Sequence, residues 1–285
     1  MIKDIMVRLD GTPADSLRLD AAKCIADTFD GQIIGLFLNP LPLPIVPDFD
    51  GPGAAQAAEL LQLAKDVSDR IEADLTARLG ELDYPAELRR FDVLPDEVVE
   101  VATREARSAD TFVALRPNDE LDDADRLVEG VLFGSGRHLL LVPQKQRAQS
   151  SFDHVIVAWN GSRESARALA EAMPYLHRAR MVTVVVVDEL PPVEMQATLG
   201  SDVIDHLRHH GIDARLRHVR RRDTGTAATL IAEAKREYAD LIVMGGYGHS
   251  RLREWLLGGV TYELPAPRPG AAHCRSLAST PHKNF

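Results

Sequence analysis

Short apolar runs alternate along the chain with longer stretches in which apolar positions recur every three or four residues. The runs are typical of β-strands, and the longer stretches are typical of amphipathic helices. The run at residues 182–187, VTVVVV, lacks polar alternation, which is typical of a strand covered by helices on both faces and hence of a parallel sheet. The predicted strands lie in residues 3–11, 32–38, 86–93, 110–115, 138–142, 153–161, 181–187, 213–219 and 240–244. The predicted helices lie in residues 54–79, 96–108, 196–210 and 227–238, with two more that begin at Thr12 and Ser162.

The first predicted strand occurs twice. Residues 3–11, KDIMVRLDG, and residues 153–161, DHVIVAWNG, match at an offset of 150 and are followed by Thr12 and Ser162. Ser162 is a favourable helix N-cap, and the helix after it is predicted to bury one apolar face. A repeat of this length indicates tandem domains. The residues predicted for that apolar face are Ala166, Leu169, Ala170 and Met173.

The regular alternation of strands and helices predicts an α/β protein with two tandem, doubly wound parallel-sheet domains of Rossmann-like type. We place the domains at residues 1–143 and 152–264, with a polar linker at residues 144–151. The last stretch, residues 265–285, begins with three closely spaced prolines, which exclude a central strand. We therefore expect the second domain to lack the fifth strand that residues 138–142 give the first, and we interpret the stretch as an irregular, frameshifted or otherwise altered tail.

Composition limits the classes of function. The chain has 285 residues and a formal net charge of −10, which argues against general binding of nucleic acid. Its one basic cluster, Arg217 with residues 220–222, is interpreted as a solvated rim, with an anion contact as the alternative. The two cysteines, Cys24 and Cys274, cannot form a disulfide framework, and Cys24 is predicted to be a core thiol. Because the cysteines indicate a reducing compartment and the chain shows neither a signal segment nor an apolar stretch long enough to span a membrane, we expect a cytoplasmic protein.

The strongest chemical signal is the stretch at residues 241–261, LIVMGGYGHSRLREWLLGGVT. A predicted strand leads there into a glycine-rich turn with the spacing Gly245-x2-Gly248-x9-Gly258. Glycines let main-chain N–H groups approach an anion closely, which is how phosphate-binding loops work. Residues 160–162, Asn-Gly-Ser, follow another strand, and the carboxyl ends of parallel strands meet at one crevice. The sequence therefore predicts a nucleotide pocket, with a simple strand-to-helix turn as the alternative.

These motifs resemble those of the universal stress protein family. The first strand of that family ends in a V-x-x-D-G-S type sequence, which is similar to VRLDGT at residues 7–12 and to VAWNGS at residues 157–162. Its fourth strand leads to G-x2-G-x9-G-[ST], which is similar to the spacing from Gly245 to Gly258. The resemblance implies a tandem stress-response protein with a fold like that of the adenine nucleotide alpha hydrolases. In the ATP-binding branch it also implies a site for ATP or another adenine nucleotide, with Mg²⁺ only alongside the nucleotide.

By this resemblance, the second half holds the nucleotide, with Asn160 and Val187 at the nucleoside end and the glycines at the phosphate end. Two positions depart from the family pattern. Asn160 replaces the usual Asp, and Gly259 replaces the final Ser or Thr, for which Thr261 is the alternative hydroxyl. The complete set of candidate ligands is Asn160, Gly161, Ser162, Val187, Gly245, Gly248, His249, Ser250, Gly258, Gly259 and Thr261.

The first half has diverged further. After residues 110–115 the chain continues Arg116-Pro117 without a glycine, so we expect this half to be structural and to bind no triphosphate. The resemblance implies that the two domains pack as a pseudo-dimer, with a homodimer as a further alternative. No lysine follows the glycine turn, so phosphoryl transfer lacks its usual cation, and we assign no catalytic residue and no metal site. The alternatives to nucleotide binding are a ligand-free interaction protein and, third, a slow nucleotide hydrolase.

Overall fold

The computed structural model describes residues 1–42, 52–117, 123–144, 151–188 and 199–246, which form two α/β halves. The first half contains β1 (Asp4–Leu9), α1 (Asp15–Phe29), β2 (Gln32–Pro40), α2 (Pro52–Gly80), β3 (Ala86–Val93), α3 (Val98–Ala106), β4 (Thr111–Leu115), α4 (Asp123–Gly134) and β5 (His138–Val142). The second half contains β6 (His154–Ala158), α5 (Arg163–Leu176), β7 (Met181–Asp188), α6 (Ser201–His209), β8 (Ala214–Arg220), α7 (Thr226–Glu237) and β9 (Leu241–Val243).

Both sheets are parallel and doubly wound. The strand orders are β3-β2-β1-β4-β5 in the first half and β8-β7-β6-β9 in the second. In each sheet the first strand lies between the second and the fourth, so that Ile5 pairs with both Ile33 and Thr111. The predicted α/β fold is confirmed. The described part of the second sheet has four strands, and the predicted tail at residues 265–285 lies outside the described residues.

Burial on both faces explains the continuous apolar runs. In β2, Ile33 belongs to the core cluster shared with α1, whereas its neighbour Ile34 belongs to the cluster shared with α3 and α4. In β7, Val184 and Val185 divide in the same way between two cores. A strand in this position has no solvent-facing side, so polar alternation would place polar groups in a core.

The helix α5 begins where the sequence predicts. Ser162 is its N-cap, and the Ser162 hydroxyl accepts a hydrogen bond from the Ser165 N–H. The predicted apolar face is wrong in part, because Leu169 is buried but Ala166 and Ala170 are exposed. The buried face is instead centred nearer Ser165, since the first turn of the helix packs against the end of β9.

Two helices of the first half differ from the prediction. α1 begins at Asp15 rather than at Thr12. α4 was not predicted at all, although Leu127 and Val131 are four residues apart and pack into a core. The prediction for Cys24 is confirmed, because this side chain is 7% exposed and burial raises the pKa of its thiol to about 12.

Aromatic and ionic contacts join the two halves. Tyr175 of α5 packs edge-on against Phe29 of α1, with ring centroids 5.2 Å apart, and against Phe152, with centroids 5.0 Å apart. The His138 Nδ1 atom in β5 lies 3.5 Å from a carboxylate oxygen of Glu171 in α5. The cores of the two halves are therefore continuous through α5.

The domain boundaries at residues 143 and 152 stay a prediction. Within the predicted linker, residues 145–150 lie outside the described residues. None of the described helices has the length and apolar character needed to cross a membrane.

Candidate functional site

The candidate residues of the second half that the structure describes lie at one edge of its sheet. β6 and β9 are parallel neighbours, with Val157 paired to Val243, so both strands end at the same edge. Asn160, Gly161 and Ser162 follow β6 within four residues, and Gly245 follows β9 within two. The chain crosses to the opposite side of β6 when it enters β9, which makes this edge the switch point at which open α/β sheets bind ligands.

Local hydrogen bonds fix the turn after β6. The Asn160 side-chain oxygen accepts a hydrogen bond from the Ser162 N–H at 3.1 Å. Gly161 has a φ of +71°, a left-handed conformation that favours glycine. The Ser162 hydroxyl then accepts from the Ser165 N–H at 3.1 Å and starts α5. Asn160 and Gly161 are both exposed, so a ligand can reach their amide groups.

Val187 lies beside this turn. β7 pairs with β6 in a register that joins His154 to Met181 and Ala158 to Val185, and continuing that register places Asn160 level with Val187. Val187 is half-buried and packs on the core cluster between the sheet and α7. Val187 therefore lies on the strand next to the one that Asn160 follows.

Among the site residues that the structure describes, Gly245 makes the closest approach to another backbone segment. A Cβ atom at this position would lie 2.7 Å from the carbonyl carbon of Glu164 and 2.9 Å from the Ser165 nitrogen. Only glycine lets the end of β9 pack directly on the first turn of α5. That turn carries the positive end of the helix dipole, which favours a bound anion.

One carboxylate lies near the same helix end. Hydrogen bonding to its own backbone N–H and to Arg163 lowers the pKa of Glu164. Glu164 therefore stays ionised, and the Arg163 Nε atom lies 3.1 Å from it. The remaining candidates, Gly248, His249, Ser250, Gly258, Gly259 and Thr261, lie outside the described residues.

The corresponding turn of the first half is built differently. Asp10 accepts hydrogen bonds from the Thr12 N–H at 3.0 Å and from the Arg18 guanidinium at 2.7 Å. The same guanidinium contacts Asp15 at 2.5 Å, and Asp15 also accepts from the Gly11 N–H at 2.8 Å. In the first half, an internal ion cluster therefore occupies the position that lies at the carboxyl edge of the sheet in the second half.

Burial and charge act in opposite directions on the two carboxyl groups of this cluster. Burial raises the pKa of Asp15, and the nearby charge of Arg18 offsets this rise only in part. Burial also acts to raise the pKa of Asp10, but the hydrogen bonds from Arg18 and Thr12 outweigh it and leave that pKa lowered. Asp10 is therefore the carboxylate that the arginine holds charged.

The helix α2 covers the same turn. Gly11 has a φ of +78°, and a Cβ atom on it would lie 2.7 Å from the Ile71 side chain. Sequence reasoning missed Arg18 and Asp15 as members of this turn. The repeat carried the signal, because Ser165 and Ala168 stand 150 positions after Asp15 and Arg18.

The predicted basic cluster is partly neutralised. Arg217 pairs with Glu233 and Glu237 of α7, each at 3.0 Å, which favours its interpretation as a structural rim residue. Among the residues that the structure describes, no group of three or more His, Cys, Asp or Glu side chains could hold a metal ion.

Comparisons with known proteins bear on the fold and on the second half. Residues 151–264 match the sequence model of the Universal stress protein family, whereas no curated protein matches the chain. A universal stress protein from Archaeoglobus fulgidus DSM 4304 is 19% identical, with a TM-score of 0.56 over 85% of this chain and 86% of that one. A putative universal stress protein from Pseudomonas aeruginosa UCBPP-PA14 is 14% identical, with a TM-score of 0.52 over 90% of this chain and 89% of that one. These two similarities show that the tandem α/β fold is shared.

A universal stress protein solved in complex with cAMP is also similar to part of the chain. It is 22% identical and covers 50% of this chain and 98% of its own length, with a TM-score of 0.29. At this TM-score the similarity carries no argument about the ligand of this chain.

Proposed function

Because residues 151–264 of this chain are a universal stress protein domain, we propose that the protein acts in the stress response by binding ATP or another adenine nucleotide in its second half. Mg²⁺ accompanies the nucleotide and has no site of its own. The protein works in the cytoplasm, its two halves act as a pseudo-dimer, and a homodimer of whole chains is the further alternative.

The observation that carries this proposal is the close approach of Gly245, two residues after β9, to the first turn of α5, beside the Asn160 turn that follows β6. The Asn160 turn offers accessible amide groups, and Gly245 packs its backbone on the first turn of α5. Main-chain donors and a helix N-terminus at the carboxyl edge of a parallel sheet favour a phosphate, and the exposed amide beside Val187 suits a nucleoside.

We propose one nucleotide per chain. In the first half, Arg18 already takes the carboxylate of Asp10, and Ile71 closes over Gly11. A nucleotide there would have to displace a guanidinium that is 4% exposed. Binding rather than catalysis is proposed for the second half, because the glycine turn is not followed by the lysine that phosphoryl-transfer loops use.

A pair of glycine substitutions tests the site. Gly245→Ala should abolish ATP binding, since its methyl group meets backbone atoms of α5 that cannot move aside. Gly80→Ala is the matched control, because a Cβ at Gly80 meets nothing within 4 Å, and its affinity should equal that of the wild type. Binding is measured by displacement of a fluorescent ATP analogue, with circular dichroism to confirm folding. Unchanged affinity in a folded Gly245→Ala variant would reject the assignment.

Mass spectrometry of the ligand released from freshly purified, denatured protein identifies the nucleotide. An adenine nucleotide in about equal amount with the protein supports the proposal. A protein that carries no nucleotide and does not bind ATP, ADP or AMP in solution would instead be the ligand-free interaction protein.

A further inference from the structure

The glycine turn after β9 has a second wall, and that wall belongs to the other half of the protein. Gly246 faces α4, where a Cβ atom on Gly246 would lie 2.8 Å from one methyl carbon of Leu132 and 3.4 Å from the other. Gly245 faces α5 on the opposite side. The start of the turn is therefore held between a helix of its own half and a helix of the first half.

The wall formed by α4 is fixed in the first half. Leu127, Val128 and Val131 are almost fully buried in the core that α4 shares with β4. Gly130 packs closely against Val99 of α3, and Gly134 against Thr103 of the same helix. Closely packed elements of this kind resist small displacements. The position of Leu132 therefore follows the first-half core.

The two halves are also fixed relative to each other near this wall. The Arg167 guanidinium of α5 donates a hydrogen bond to the Gly136 carbonyl, just after α4, at 3.3 Å. Arg167 also pairs with Glu171 at 2.5 Å, and Glu171 contacts His138 of β5. These contacts join α5 to the chain segment that follows α4.

We propose that the first half positions the ligand-binding turn of the second half, with Leu132 as the positioning residue. The proposal rests on the proposed function, because it concerns the affinity of that same site. An N–H group donates well to a phosphate oxygen only within about 2.7–3.2 Å, so a turn that moves away from α4 loses donors. By linkage, a bound nucleotide must in turn strengthen the packing of α4 on the turn. The structurally closed first half thereby acts on the binding half.

A double-mutant cycle tests the coupling in the full-length chain. Leu132→Ala leaves a gap beside Gly246, and Gly246→Val forces the turn away from Leu132. Each single variant should weaken ATP binding at least about fivefold, which is the lower end of typical coupling between sites. In the double variant the valine fills the gap, and the affinity should return to within about threefold of the wild type.

Two controls separate positioning from general destabilisation. Leu63→Ala makes the same change on α2, where Leu63 is 54% exposed, and should leave ATP affinity unchanged. Leu132→Met keeps the volume at the wall and should bind like the wild type. Hydrogen exchange in α4 should also slow when ATP binds, a response that a merely structural leucine would not give.

The proposal would be overturned if the losses of affinity in the cycle were additive, or if the rate of hydrogen exchange in α4 were the same with and without ATP. If the wild type binds no adenine nucleotide, the proposed function fails, and the cycle is read in the melting temperature instead. Non-additive melting temperatures would then support the contact between Leu132 and the turn, and additive ones would overturn it. The two failures are thus distinguishable.

Discussion

Arg18 is a charged side chain held inside the first half, where it is 4% exposed and lies between Asp10 and Asp15. Its counterpart in the second half is Ala168, and the counterpart of Asp15 is Ser165. Removing one member of a buried ion network leaves an uncompensated charge, whereas removing the charges together costs less. The first half therefore stabilises its turn with ions, and the second half stabilises the same turn with neutral hydrogen bonds.

Substitutions toward the second-half residues test this difference. Arg18→Ala should lower the free energy of unfolding by about 3–5 kcal/mol, because Asp10 loses the guanidinium that holds it charged and the fully buried Asp15 loses its closest cation. Arg18→Ala combined with Asp15→Ser should cost less than the single change, in urea unfolding at neutral pH. Lys23→Ala is the control, since its pair with Asp20 is exposed and 3.8 Å long, and it should change stability by less than about 1 kcal/mol. Equal losses in the single and double variants would contradict the account.

At the scale of elements, α5 connects the edge of the sheet at which β6 and β9 end to the interface between the halves. Its first turn is capped by Ser162 and touched by Gly245. Its last turn carries Tyr175 into the aromatic cluster with Phe29 and Phe152. A change in either end of this helix should therefore reach both regions.

The cap of α5 gives a direct test at this scale. Ser162→Ala should lower the free energy of unfolding by about 1 kcal/mol, because the Ser165 N–H loses its acceptor. It should also weaken ATP binding, since the turn from Asn160 loses its anchor. Ser16→Ala, at an exposed position in the first turn of α1, should cost less than about 0.5 kcal/mol. Equal effects of the two changes in chemical denaturation would show that the cap does not hold the turn.

The elements also show what sequence alone can predict here. Both sheets follow from apolar runs, because a strand buried on both faces leaves a continuous signal, as in β7. The N-cap of α5 follows from local chemistry at Ser162. The helix α4 had a local signal in the four-residue spacing of Leu127 and Val131 that the prediction missed. The true buried face of α5 depends on packing between distant elements, which no local pattern encodes. The ion cluster of Arg18 was equally hidden, although comparison of the two repeats could have revealed it.

At the scale of the whole molecule, an apolar region and an ionic region of the described residues join the halves, in addition to the contact between Leu132 and Gly246. The apolar region is the cluster around Tyr175, which is 3% exposed. In the ionic region, the His138 ring, whose Nδ1 atom lies 3.5 Å from the carboxylate, is the main cause that lowers the pKa of Glu171, and Arg167 adds to it. His138 belongs to the first half, and Glu171 and Arg167 belong to the second. The charge of Glu171 therefore affects how firmly the two halves pack.

The pH dependence of this contact has a definite sign. A carboxyl group whose pKa is lowered in the folded protein stabilises the fold at pH values above its ordinary pKa of 4.5, and this contribution is lost as the pH falls through the lowered value. The wild type should therefore be more stable than Glu171→Gln at neutral pH, and the difference should shrink below pH 4.5. Thermal unfolding of both proteins across this range provides the measurement. A difference that stays constant or grows in acid would contradict the assignment.

The central claim is that the two repeats share a fold but differ in role: the second half binds one nucleotide, and the first half is structural. Isothermal titration calorimetry of the full chain with ATP and Mg²⁺ tests it most directly. The account predicts one site per chain, lost in Gly245→Ala and kept in Gly80→Ala. Two equivalent sites per chain, or a single site untouched by Gly245→Ala, would contradict it.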